Sequence, residues 1–539
     1  MPSIQLSIIS AALLATTVMT AQPTHGAEQT PGLTRFATVP LDAEITGLYI
    51  TASGDLFYNA QHPADSNKKP YDKATIGALV GVDWHNLPMV FPDVKVPETD
   101  DEKQSFSSAL GQYQILAQEG DEATASALGA IIAIDGTVIK QSNDPDFNAF
   151  IPTSADGREG YLFTNWEDRP GGMSRMHLTK AADGSWQIGV RGVEMLDFSS
   201  VNGTWVNCFG SVSPWNTPLT SEELYFKDTA HWNDEDFEDH DGVAALARYL
   251  GRFPNPYDQG YIVEIKRPVD TPAPVKHFSM GRFSHENSVI MPDGKTAYLT
   301  DDGIDVVFFK FIADAAGDLS SGTLYAAKVT QDEGNDPATT GFGVEWIELA
   351  HGDNATIEGW IDEYDGVTTA DYSDGSTNYI SDEEIVAWAA GLAADDRVAF
   401  LESRKAAAAK GATAEFMKME GIMINHDRAA DGSVPFMYMA MSSISKGMSD
   451  EEGDIQLSKN ICGVVYQMPL EAGYDVTTMT PAVAGFGYDG GAEVNQCATG
   501  GISNPDNLLV LDDGRVLIGE DTGNHENNML WVWNPDARS

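Results

Sequence analysis

An Asp-Gly pair followed by alternating apolar and polar residues recurs along this chain, at Asp135-Gly136, Asp156-Gly157, Asp183-Gly184, Asp293-Gly294, Asp431-Gly432 and Asp513-Gly514. Glycine enters the left-handed backbone of a tight turn without steric cost, and alternation with period two buries one face of a strand. Each pair therefore predicts a hairpin leading into a strand. Two of these strands, DGKTAYLTDD and DGRVLIGED, end in adjacent acids. Short strands with turns between them predict an all-β protein, either a radially repeated β-propeller or a pair of β-sandwiches. The hairpins run through 539 residues without a break in composition, which favours one propeller. The repeat is too degenerate for the blades to be counted from spacing.

One segment differs in kind. Across 381–411, Ser381 and Glu384 form a capping-box pattern, helix formers follow, and Gly411 supplies a stop, so a helical insertion is expected, broken near Gly391. At the N-terminus, residues 1–27 carry no charged side chain and hold an apolar run from Ile8 to Val18 before small residues. They read as an export signal without a twin-arginine pair, leaving residues 28–539 as a single propeller domain in a periplasmic or secreted protein. An exported chain usually pairs its cysteines, and of the three here Cys462 and Cys497 share strand-turn contexts while Cys208 stands alone. A Cys462–Cys497 disulfide with Cys208 free is expected; three buried thiols are the alternative. Lys and Arg number 32 against 81 Asp and Glu, a formal charge of -49, so nucleic acid and anionic membranes would be repelled. A monomer without membrane contact after signal removal is expected.

The chemical signal is a set of acids and one thiol at strand ends. NWED holds Glu167 and Asp168, the loop after Cys208 holds Glu222 and Glu223, and GRFSHEN holds His285 and Glu286. YLTDDG adds Asp301 and Asp302, MKMEG adds Glu420, and IGEDTGNHEN adds Glu520 and Asp521. Taken singly, each reads as an ordinary turn acid. In a propeller, however, strand ends from successive blades meet at the axis, where crowded carboxylates repel unless polyvalent cations neutralise them. Calcium suits the carboxylates, and a thiolate calls for a softer or trivalent metal beside it.

Four stretches carry a family resemblance: GRFSHENSVIMPDGKTAYLTDDG, LESRKAAAAKGATAEFMKMEG, CFGSVSPWNTPLTSEE and NPDNLLVLDDGRVLIGED. Together they resemble the PhoX-type alkaline phosphatases, exported six-bladed propellers that use iron and calcium. The resemblance implies hydrolysis of small phosphate monoesters at an axial cluster of Fe3+ and Ca2+. It places Cys208 as an iron ligand, with Glu286, Glu420 and one of Glu222 or Glu223 among the carboxylate ligands. Glu167, Asp301, Asp302 and Asp521 are further metal candidates. Lys418 stands where an arginine is expected in the family and becomes the candidate catalytic cation, with Arg282 as a substitute. If Lys418 and Glu420 share an extended strand, both point to one side. The stretch AEITGLYITASGDLFYNAQHP, at 43–63, resembles a strand from the family's C-terminal end, which implies a ring closed by the N-terminal segment. A calcium-dependent propeller hydrolase of lactones or other esters, and a calcium-stabilised binding propeller without activity, are the alternatives.

Overall fold

The computed structural model describes residues 30–538 apart from 125, 225, 227 and 433–435, so the expected export signal lies outside the described residues. Period-two alternation is realised as six antiparallel blades of four strands each, the last extended by the two-residue strand Ser107–Ser108. The first blade runs outward through Glu44–Ile50, Leu56–Gln61, Thr75–Val80 and Gln112–Gln118. The second is Pro145–Pro152, Glu159–Trp166, Gly172–Lys180 and Trp186–Met195. The third is Asn207–Val212, Pro218–Glu222, Ile262–Lys266 and Ala273–Lys276. The fourth is His285–Ile290, Thr296–Asp301, Phe309–Ala315 and Asp318–Gln331. The fifth is Met419–Met423, Phe436–Met441, Val464–Pro469 and Thr478–Ala484. An added strand, Phe342–Asp353, pairs with the outer strands of the fourth and fifth blades and joins them into one sheet.

The sixth blade takes Pro505–Val510, Val516–Glu520 and Met529–Trp533 from the C-terminus and its fourth strand, Leu33–Thr38, from the N-terminus. Leu33 pairs with Trp533 and Thr38 with Met529. The N-terminal segment does close the ring, but with 33–38 rather than with 43–63, which forms the first two strands of the first blade. The six inner strands pack against one another in sequence around the axis.

Of the six Asp-Gly pairs, five sit in hairpins. Asp431-Gly432 instead ends the helix His426–Asp431, with Gly432 at φ +74° as its left-handed cap. A short helix has been inserted there between the inner and second strands of the fifth blade. The helical segment begins as the capping box requires: Ser381 Oγ accepts from the Glu384 amide, and Glu384 accepts from the Ser381 amide at 2.8 Å. Helices Asp382–Ala389, Arg397–Leu401 and Ser403–Ala409 follow, with Gly391 at φ +73° where the first ends. Their buried face, including Phe400, Leu401 and Ala407, packs with Phe309, Phe311 and Leu324 of the fourth blade. A further helix, Asn354–Ile361, was not evident in the sequence pattern. Cys462 and Cys497 form a disulfide, and Cys208 is free and buried. No helix among the described residues is long and apolar enough to cross a membrane.

Candidate metal centre and active site

A bulge at the same place in each blade builds the axial site. Pro145 pairs with Trp166, but the next pairing is Asn148 with Thr164, so two inner residues face one outer residue. The skip recurs after Asn207–Glu222, His285–Asp301, Met419–Met441 and Pro505–Glu520. A bulge bends the strand and re-aims the extra side chain. The first bulged residues are Asp146, Cys208, Glu286, Glu420 and Asp506. In the first blade the position falls to Gly47, at φ +64°, where an added Cβ would lie 2.3 Å from the Asp146 carbonyl oxygen. Five blades thus aim a ligand-type side chain at the axis, and the first blade, with Gly47, leaves room for its neighbour.

In these five blades the second strand adds the residue after its last pair: Glu167, Glu223, Asp302 and Asp521, with Ser442 in the fifth blade. Side chains alternate across a strand, so the preceding residue points away from the axis into the blade. This resolves the acidic doublets. Glu222 is fully buried, ion-pairs with Lys276 at 2.9 Å and accepts amides from Trp205, Gly260 and Tyr261. Asp301 takes two hydrogen bonds from Arg404 Nε, at 2.9 and 2.8 Å. Glu520 accepts from Trp531 Nε1 at 2.7 Å and from the Ser503 and Met529 amides. Glu222 and Asp301, named above as metal candidates, are therefore committed to protein cations and amides, and Glu223 and Asp302 take the axial positions.

The axial groups converge. Ligand atoms of Glu167, Cys208 and Glu223 lie within 4.8 Å of one another, as do those of Glu286, Glu420 and Asp506. Cys208 Sγ contacts Glu286 Oε2 at 3.1 Å, bridging the two groups. Ser442 Oγ donates to Glu420 Oε1 at 2.7 Å. Asp146 and Asp506 were missed in the sequence. Their one shared signal is a Pro-Asp pair opening an inner strand, Pro145-Asp146 and Pro505-Asp506.

Burial, and then neighbouring charge, drives the pKa values of these groups upward. Burial and the adjacent Glu223 hold the Glu286 carboxyl well above its ordinary range, and burial with Glu167 does the same to Asp146. Asp506 rises by burial and the nearby Glu420, while Glu44, at the mouth, rises by burial and Asp521. Burial and nearby acids push Glu420 up to about 7, and burial also lifts Glu167 to about 7. The Cys208 thiol is raised by burial and by Glu167, Glu223 and Glu286. Asp146 Oδ2 and Glu286 Oε1 are buried with no hydrogen-bond partner. A thiol beside several carboxylates with unfilled oxygen positions fits a site for polyvalent cations.

A pH dependence follows for the metal-free protein. An acid whose folded pKa is raised stabilises the fold below its unfolded value, and that stability is lost as pH rises through the folded value. With Glu167 and Glu420 lifted from 4.5 to about 7, the melting temperature of metal-free protein is expected to fall as pH rises from about 4.5 to above 7. Thermal melts with and without added cation check this; the cation should remove the decline. A metal-free melting temperature that stays level across this range contradicts it.

Lys418 reaches the site, though not by strand alternation. It sits between Phe416–Met417 and Met419–Met423 at φ +51°. This left-handed kink brings Nζ to 2.7 Å from Asp302 Oδ2 and 3.4 Å from Glu420 Oε1. Its side chain is 36% exposed, so it borders both the cluster and solvent. Arg282 is no substitute. It is buried, and it donates to the Pro256, Gln259 and Leu401 carbonyls, fastening the helical insertion to the blades.

The chain was compared with known proteins. A search of curated proteins gives no match. Among solved structures it is similar to Pseudomonas fluorescens PhoX in complex with vanadate, a transition state analogue, at 18% identity and a TM-score of 0.50, covering 73% of this chain and 78% of that one. Lower similarity extends to the Pseudomonas aeruginosa periplasmic gluconolactonase PpgL, at 11% identity and a TM-score of 0.32, covering 92% and 82% of the two chains. The Trichoderma reesei carbohydrate-active enzyme of family AA12 gives 9% identity and a TM-score of 0.35, covering 96% and 99%. The family model for alkaline phosphatase PhoX matches residues 113–535. This chain therefore belongs to the PhoX alkaline phosphatase family and is a phosphatase.

Proposed function

We propose that the protein is an exported phosphatase that hydrolyses small phosphate monoesters at an axial cluster of iron and calcium ions. The observation that carries this reading is the ring of Asp146, Cys208, Glu286, Glu420 and Asp506, set at one register position in five blades, with buried oxygens lacking partners. Cys208 with Glu167 and Glu223 would hold iron. Glu286, Glu420 and Asp506 would hold a neighbouring ion, with Asp521 and Asp302 completing the carboxylate supply to calcium. When bound, such cations neutralise the charge of a phosphoryl group and act as Lewis acids on it.

The chain's own residues do the rest. Lys418 offers a point charge at the mouth for a phosphoryl oxygen, and Asp302 orients its ammonium at 2.7 Å. Arg404 holds Asp301, which fixes the end of the strand that carries Asp302. Export is supported by the apolar N-terminal segment of residues 1–27, and the Cys462–Cys497 disulfide fits an oxidising compartment, periplasmic or extracellular. Residues 28–539 would then act as one domain. Elemental analysis of purified protein, paired with turnover of a chromogenic phosphomonoester, tests the reading. Iron and calcium with turnover are expected; calcium alone, with lactone hydrolysis in place of phosphatase activity, would count against the cluster.

Lys418→Ala is expected to lower turnover by about 10 to 1000-fold, the scale of removing one charge-stabilising contact, with bound metal unchanged. Lys418→Arg should keep much more activity. Steady-state kinetics with metal analysis decide it: an alanine variant at wild-type turnover and KM removes Lys418 from the phosphate contacts.

A further inference from the structure

The axial residue of each second strand is held by a backbone bond that falls at the same place in five blades. The amides of Glu167, Glu223 and Asp302 donate to the carbonyls of Asp144, Val206 and Ser284 at 2.9, 3.1 and 2.8 Å, and those of Ser442 and Asp521 donate to Lys418 and Asn504 at 3.1 and 3.2 Å. The accepting residue directly precedes the inner strand of the same blade. These bonds fix the two axial positions of one blade to each other. They do not fix one blade's acids to the next, yet the group Glu286, Glu420 and Asp506 draws on three blades. Ligands shared between blades must be spaced to within about 0.5 Å to hold an ion well.

Asn504 supplies a cross-link at the junction of the fifth and sixth blades. Its backbone sits at φ +43°, a left-handed conformation that asparagine tolerates better than most residues. Nδ2 donates to the Ser442 carbonyl at 2.8 Å and to the Ile461 carbonyl at 3.2 Å, both in the fifth blade. Oδ1 accepts from Thr522 Oγ1 at 2.6 Å and from Asn524 Nδ2 at 2.8 Å, in the loop that follows Asp521. Three axial acids are tied together in this way. Ser442 holds Glu420 through its hydroxyl, Thr522 adjoins Asp521, and Asp506 stands two residues after Asn504. The disulfide braces the same network, since the Cys462 carbonyl accepts the Asn504 amide at 3.0 Å and the Cys497 amide donates to the Asn524 carbonyl at 3.1 Å. An asparagine that only shapes a turn bonds its own neighbouring backbone. Here both amide protons go to another blade.

We propose that Asn504 is a positioning residue for the reaction: it sets the spacing of Glu420 from Asp506 and Asp521, and through it the calcium affinity of the cluster, without touching ion or substrate. The inference rests on the iron and calcium reading above. Asn504→Gly removes the side chain while suiting the positive φ. On the full-chain holoenzyme, calcium affinity is read by competition with a chromophoric chelator, and iron by elemental analysis of the same samples. Calcium held about 10 to 100-fold more weakly, the scale of removing a group that orients a ligand, is expected. Iron content should be unchanged, because Glu167, Cys208 and Glu223 come from the second and third blades, and excess calcium should restore turnover. Asn504→Asp, which replaces both donors by an acceptor at unchanged size, should weaken calcium at least as far. As a control for general destabilisation, Asn233→Ala removes a buried asparagine that bonds the Thr368 carbonyl at 2.8 Å and the Tyr379 hydroxyl at 2.7 Å. It should lower the melting temperature and leave calcium affinity alone. Wild-type or tighter calcium affinity in either folded Asn504 variant, or a loss equalled by Asn233→Ala, overturns the positioning role alone. Wild-type protein that holds neither ion overturns the cluster reading and this inference with it.

Discussion

Stripping the protein of polyvalent cations with a strong chelator is expected to abolish phosphatase turnover and to lower its melting temperature by on the order of ten degrees. The axial acids are contributed by five blades, so their mutual repulsion, once they are ionised above about pH 7, acts across the whole ring unless a bound cation neutralises it. An ion present at a thousandfold its dissociation constant stabilises by about 4 kcal/mol. Unfolding entropy near 2.1 cal/mol/K per residue amounts to about 1 kcal/mol/K for a chain of this length, so each ion is worth about 4 °C. Two or three ions account for the expected shift. Calorimetry and a chromogenic assay on the same samples, with residual metal measured, provide the check. Unchanged melting after confirmed loss of metal would show that the acids do not share cations across the ring.

Removing the N-terminal strand is expected to have the second large effect: a chain beginning at Leu41 should be absent from the soluble fraction. Leu33–Thr38 supplies the fourth strand of the sixth blade, between Met529–Trp533 and Ser107–Ser108, and Leu33 and Phe36 are buried at 2% and 0% exposure. Without that strand, Met529–Trp533 becomes an open edge flanked by Trp531 and Trp533, both fully buried in the closed ring. An exposed apolar edge strand pairs readily with other chains. Arg35 would be lost as well, with its hydrogen bonds to the Val94 and Thr499 carbonyls that pin the surrounding loops. Expression followed by size-exclusion chromatography is the measurement. A soluble, active truncation with a cooperative melt would show that the ring closes without the N-terminal strand.

Much of this molecule was legible before folding, because some signals are local. Asp-Gly turns, period-two strands and the Ser381–Glu384 cap each depend on a few adjacent residues, and five of the six turns fall in hairpins as expected. The exception, Asp431-Gly432, shows the limit: the same dipeptide serves a hairpin and a helix C-cap, and only the elements around it decide which. The strand-end acids were visible as a set for the same local reason. Which member of each doublet faces the axis was not. Glu222 and Glu223 differ only by strand register, and register is set by pairing with Asn207 on another strand. Lys418 was found through the family resemblance, as the residue standing where an arginine is expected two before Glu420, yet it reaches the cluster through a left-handed kink instead of an extended strand.

Asp146 and Asp506 passed unnoticed because their bulges appear only once the two strands are paired. The sequence alone thus determined the strands, the turns, the helical insertion and the supply of acids and thiol. The tertiary structure decided the convergence of five blades on one axis, the strand that closes the ring, and the division of the acids between metal-type and structural roles. All three depend on pairing between residues far apart in the chain, which no local pattern records.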